Sequence, residues 1–127
     1  MTAKRHQLQR VVDIRDAIAR IGAYASLGRQ RFEADELVQV WMVHQLETIG
    51  EAAAGVAPEV RDRFSGVEWQ LLADMRNRLT HGYFDIDMAR VWETVERDIP
   101  PLRRQIDEVI DAWGDDPMSP HQGPETG

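Results

Sequence analysis

The strongest constraint on the fold is the recurrence of apolar residues at steps of three and four along most of the chain. Nowhere does the alternation of a half-buried strand replace it. Within residues 6–27, Leu8, Val11, Val12, Ile14, Ile18, Ile21 and Tyr24 form one face of an amphipathic helix, and Gly28 is placed to stop it. Residues 33–53 predict a second helix, with Leu37, Val40, Trp41, His44, Ile49 and Ala52 on its apolar face and Met42, Val43 and Leu46 broadening it. A helix apolar most of the way round is central, or faces another subunit.

Residues 54–66 read as a connection in which Pro58-Glu59-Val60-Arg61 makes a short helical turn, with Pro at its first position. Ser65-Gly66-Val67-Glu68 has capping-box spacing and predicts a helix starting there. It runs to about His81 with Trp69, Leu72, Met75 and Leu79 as its core face, and Gly82 sits just past its end. A last stripe runs from Val91, Trp92, Val95 and Ile99 through Leu102, Ile106, Val109, Ile110 and Trp113. Pro100-Pro101 interrupts it, so a kink or two short helices are expected. From Gly114 the chain is polar and rich in Pro and Gly, which predicts a disordered tail over 114–127. The expected architecture is an all-α bundle of four to five helices over residues 1–113.

A chain of 127 residues forms one domain with its own core, but it is too short for a two-domain or barrel enzyme. An enzyme of this size builds its site from a few side chains or across a subunit interface. Cysteine is absent, which excludes disulfides, thiolate metal sites and thiol nucleophiles. The His and acidic residues show no metal-ligand spacing, so neither metal nor other cofactor is expected. No signal peptide or membrane span is indicated, and a cytoplasmic protein is expected. The formal net charge is −7, which argues against a protein that coats nucleic acid. That sum is uneven: residues 1–31 carry seven basic and two acidic residues, and residues 32–127 eight and twenty.

One stretch concentrates chemistry: Arg76-Asn77-Arg78-Leu79-Thr80-His81-Gly82-Tyr83. Arg presents a permanently charged fork matched to phosphate oxygens. His takes or gives a proton near neutrality. Arg76 and His81 are five positions apart, roughly 140° around a helix and about 7.5 Å along it, so one chain does not point them the same way. A second copy of the helix could complete the site. On local chemistry alone, a salt-bridged Arg with a His at a helix C-terminus is an equal alternative.

Together with its surroundings, this stretch resembles the HepT family of the HEPN superfamily. The matching pieces are Ile49-Gly50-Glu51-Ala52-Ala53, Trp69, Met75 through Phe84, Asp87, Val91-Trp92 and Ile99-Pro100-Pro101-Leu102, in order and spacing. The resemblance covers about residues 5–113. It implies a dimeric all-α HEPN bundle acting as the ribonuclease toxin of a toxin–antitoxin pair. By that resemblance Arg76 and His81 are the catalytic pair of a metal-independent RNA cleavage, Asn77 supports them, and Glu51 lends possible site support. The two motifs of a homodimer face each other. The implied partner is an MNT-type nucleotidyltransferase antitoxin that adds AMP to Tyr83. A non-catalytic nucleotide-binding or adaptor subunit of a nucleotidyltransferase is the alternative reading.

Elsewhere, His44 reads as a core or interface histidine, Asp87 as the cap of the following helix, and Trp41, Trp69, Trp92 and Trp113 as core.

Overall fold

Val11, Ile14, Ala17, Ile18 and Ile21 are all buried along one face of α1 (Thr2–Ala25), as the spacing requires. The computed structural model describes residues 2–81 and 86–114, with side chains for 5–79 and 86–113. Gly82, Tyr83, Asp85, the side chains of Thr80 and His81, and the tail expected beyond Gly114 lie outside the described residues.

The chain leaves α1 through a turn to Gly28, whose φ of 92° only glycine adopts without strain. The single helix expected over 33–53 is two. Arg29–Ala34 forms a short α2, and α3 spans Glu36–Ala54. Asp35 divides them. Its backbone is extended, and its carboxylate accepts from the N–H groups of Leu37 and Val38, capping α3. Phe32 on α2 is fully buried and packs against Trp92, 5.3 Å between ring centres.

The short α4 (Pro58–Arg63) starts at proline as expected. Arg61 donates to the carbonyls of Ala53 and Val56, which fixes the corner after α3. The capping box at Ser65 does not form. α5 starts at Trp69 and ends at His81, and the Glu68 carbonyl takes the first helical bond, from the Leu72 N–H. Ser65 and Gly66 remain in the turn before it, three residues too early to cap.

Asp87 caps α6 (Met88–Glu93), accepting from the N–H groups of Ala89 and Arg90. A π turn over Thr94–Asp98 joins α6 to α7 (Ile99–Gly114). The expected interruption therefore falls just before the prolines, which occupy the first turn of α7. Pro100 and Pro101 have no N–H to donate back into the preceding turn. Widening that turn, so that the Ile99 N–H reaches the Thr94 carbonyl, keeps the rod helical.

Among the described residues the architecture is all helical. Four long helical stretches (α1, α3, α5 and the α6–α7 rod) are accompanied by short α2 and α4. α3 is the central helix, packed chiefly on α5 and α1, while α7 covers α1. Its buried residues are Val38, Met42, Gln45, Leu46, Ile49, Gly50, Ala52 and Ala53. Its opposite side corrects the sequence expectation. Leu37 (81% exposed), Val40 (60%) and Trp41 (37%) face outward, and so does His44. α1 and α5 flank α3 and cover only half of it, so the remaining apolar residues are left on the surface. Trp69, Trp92 and Trp113 are core as expected, whereas Trp41 makes an edge contact with exposed Tyr24.

Candidate active site

The motif lies where α5 crosses α3. Gly50 of α3 faces Arg76 so closely that a Cβ there would stand 2.3 Å from the Arg76 Cβ and 2.8 Å from the Leu72 carbonyl oxygen. Only a residue without a side chain permits this approach. Arg76 is consequently half-buried at the crossing, its backbone pinned by the central helix. Its guanidinium Nη1 donates to the Asn77 Oδ1 at 3.2 Å. Asn77 is exposed, so this bond draws the charged end of Arg76 from the helix crossing towards the outer surface of α5.

Helical geometry places His81 on that same outer side. α5 continues through His81, so its Cα follows Asn77 by four positions, about 40° around the axis. Arg76 and His81 are themselves separated by roughly 140°. Arg78, three residues before His81, is exposed as well.

Glu51 is exposed on α3, beside Gly50, and its carboxylate makes no hydrogen bond or ion pair with Arg76 or any other described residue. It shares the outward side of α3 with His44, Trp41, Val40 and Leu37, spaced at seven, three, one and three residues as one face demands. The α5 motif therefore borders a solvent-facing apolar stripe. Sequence analysis put Leu37, Val40, Trp41 and His44 on the apolar face of a helix that is central or faces another subunit, and the structure leaves them on the surface. The signal was present, because a helix apolar all round has more apolar surface than two neighbours cover. Tyr83, the expected modification site, lies outside the described residues.

No cluster of three or more potential metal ligands occurs among the described residues. None of their helices is long and apolar enough to cross a membrane.

A helical bundle in which one helix ends on the Arg-x4-His pair Arg76 and His81 defines the class, and comparison with known proteins gives the family. The family model described as "Ribonuclease HepT-like" matches residues 14–109. The chain belongs to this family, within the HEPN superfamily. It is 30% identical over 107 residues to the "Probable ribonuclease HepT" of Thermococcus cleftensis, covering 84% of this chain and 97% of the relative. It is 37% identical over 79 residues to the "Putative RNase TTE0752" of Caldanaerobacter subterraneus subsp. tengcongensis, covering 62% and 70%. It is 32% identical over 91 residues to the "Putative RNase MJ1216" of Methanocaldococcus jannaschii, covering 71% and 75%. No solved structure is significantly similar to the chain.

Proposed function

We propose that the protein is a metal-independent endoribonuclease that acts as the toxin of a toxin–antitoxin pair. The observation that carries this reading is the geometry of Arg76. It is fixed against Gly50, and its guanidinium is turned by Asn77 towards the side of α5 that bears His81. Membership of a ribonuclease family supports it.

The chemistry needs three things: a base for the 2′-hydroxyl, an acid for the departing 5′-oxygen, and positive charge on the pentacoordinate phosphorus. A His81 imidazole accepts the 2′-hydroxyl proton as the 2′-oxygen attacks phosphorus. As the P–O5′ bond breaks, an imidazolium returns a proton to the leaving oxygen. Arg76 holds the charge that builds on the non-bridging oxygens, and Asn77 keeps its guanidinium in place. The products are a 2′,3′-cyclic phosphate and a 5′-hydroxyl.

One His81 cannot stand on both sides of phosphorus at once, and a homodimer supplies two. The outward stripe of Leu37, Val40, Trp41 and His44, extended by Tyr24 and Leu27 of α1 and its turn, is apolar surface of the kind a second copy buries. Glu51 lies on the same side of α3 and would face the shared cleft. The proposed antitoxin is an MNT-type nucleotidyltransferase that adds AMP to Tyr83. That puts bulk and negative charge two residues from His81, where RNA phosphate would otherwise sit.

The test is cleavage of single-stranded RNA by purified protein in EDTA. Wild type cuts and leaves cyclic phosphate ends. His81→Ala loses cleavage by at least two orders of magnitude at an unchanged melting temperature. A His81→Ala protein that cuts at the wild-type rate overturns the assignment.

A further inference from the structure

A cleft of about 190 Å³ opens between α3, α5 and α6, one face of α5 round from the Arg76–Asn77 pair. Its floor is apolar, from Leu46, Met75, Leu79 and Val91, and Arg78 and Arg90 stand at its edge. Both arginines are exposed, and neither guanidinium makes a hydrogen bond or ion pair with another described residue. Asp87 also lines the cleft, but one of its oxygens is occupied by the N–H groups of Ala89 and Arg90. Among the described residues that line it, two guanidinium groups stand against one carboxylate.

We infer that this cleft receives one base of single-stranded RNA, with Arg78 and Arg90 gripping the phosphates on either side of that nucleotide. The inference rests on the ribonuclease reading above and names the part of the substrate the enzyme holds beside the cut. Three physical points support it. The cleft is smaller than the roughly 300–1,000 Å³ that encloses a whole drug-sized ligand, so it suits a single ring system. An apolar floor with cations at the rim matches a nucleotide, which is apolar on its base faces and anionic at both ends. Unpaired RNA bases splay out and stack on flat groups, arginine planes among them.

Position ties the cleft to the reaction. His81 follows Arg78 by three residues on α5, about 60° around the axis and roughly 4.5 Å along it. A phosphate on Arg78 is therefore one helical turn from the proposed acid–base, and the base in the cleft belongs to a nucleotide next to the bond that breaks. An acidic protein would then engage RNA through a few placed cations rather than a general field.

The experiment uses the full-length protein, a fluorescent single-stranded RNA 20-mer of mixed sequence, and two variants. Arg78→Gln combined with Arg90→Gln removes the clamp. Thr94→Phe adds a ring at the cleft edge without changing charge. The double variant is expected to raise KM at least tenfold with a small change in kcat. Its RNA affinity should also lose about 1.4 from the slope of log K against log salt, 0.7 for each phosphate no longer neutralised. Thr94→Phe is expected to shift the positions of cleavage at an unchanged salt slope. If wild type cleaves and both variants cut the same positions with unchanged KM and slope, the cleft is not a nucleotide site and the ribonuclease reading stands. If wild type neither binds nor cuts the RNA, both fall.

Discussion

Replacing Gly50 by Ala tests whether the α3–α5 crossing sets the position of Arg76. The new methyl would lie 2.3 Å from the Arg76 Cβ, 2.8 Å from the Leu72 carbonyl oxygen and 3.0 Å from the Arg76 Cα. Carbon atoms rest at about 3.5–4.0 Å. All three obstacles are backbone or Cβ atoms that no rotamer change can move, so the helices must part by about 1 Å or more. Overpacking of this kind costs about 1–3 kcal/mol. Alanine recovers about 1 kcal/mol of helix propensity, so the net loss falls between about 0 and 2 kcal/mol. For a chain of this size that lowers the melting temperature by up to roughly 10 °C. Cleavage should suffer more than stability, because a displacement of about 1 Å in a positioned charge can cost about 100-fold in rate. Gly22→Ala is the matched control. Gly22 lies in α1 with nothing within 4 Å of a Cβ, so the same substitution there should stabilise by about 0.5–1 kcal/mol and leave cleavage unchanged. Circular-dichroism melts at equal protein concentration and initial cleavage rates read both variants. A Gly50→Ala protein that melts at or above wild type with full activity would refute the argument.

Three further outcomes are expected. Gln45 is the one buried polar residue of the described core, and its side-chain oxygen has no hydrogen-bond partner there. Gln45→Met should therefore raise stability by about 1 kcal/mol, measured in urea, whereas a loss would mean the amide is satisfied in solution. The Asp35 carboxyl is held below its ordinary value of 3.8, first by the hydrogen bond from Arg31 and then by the N–H groups of Val38 and Leu37. A depressed carboxyl stabilises the fold above its unfolded value and loses that contribution as the pH falls through the folded one. As the pH falls below about 4 the wild type should lose melting temperature more steeply than Asp35→Asn, and parallel curves would contradict this. Val40→Asp places a charge on the outward stripe of α3, where Val40 is 60% exposed. Light scattering should then report a monomer of unchanged helicity that no longer cleaves RNA. An active monomer would separate the site from the dimer.

The motif was legible because its chemistry is local. Arg76, Asn77 and His81 lie on one helix, and residue type and spacing alone state what they can do. The same holds for the Asp87 cap, whose partners are two and three residues away. Asp35 was missed as a helix boundary because no glycine or proline marks the break between Phe32 and Val38. The Ser65 capping box failed for the converse reason: its spacing was right, but the α4–α5 turn was longer than the motif assumes.

By itself, the sequence determined an all-helical chain with its strongest chemistry on α5, since both depend on intervals of a few residues. Only the tertiary structure decided which side of α3 is core, because burial depends on neighbours far away in sequence. It also revealed why Gly50 must be glycine, a constraint set by Arg76 from another helix. Lastly, it brought Arg78 and Arg90 to one cleft across a loop and two helices, a pairing that no interval along the chain specifies.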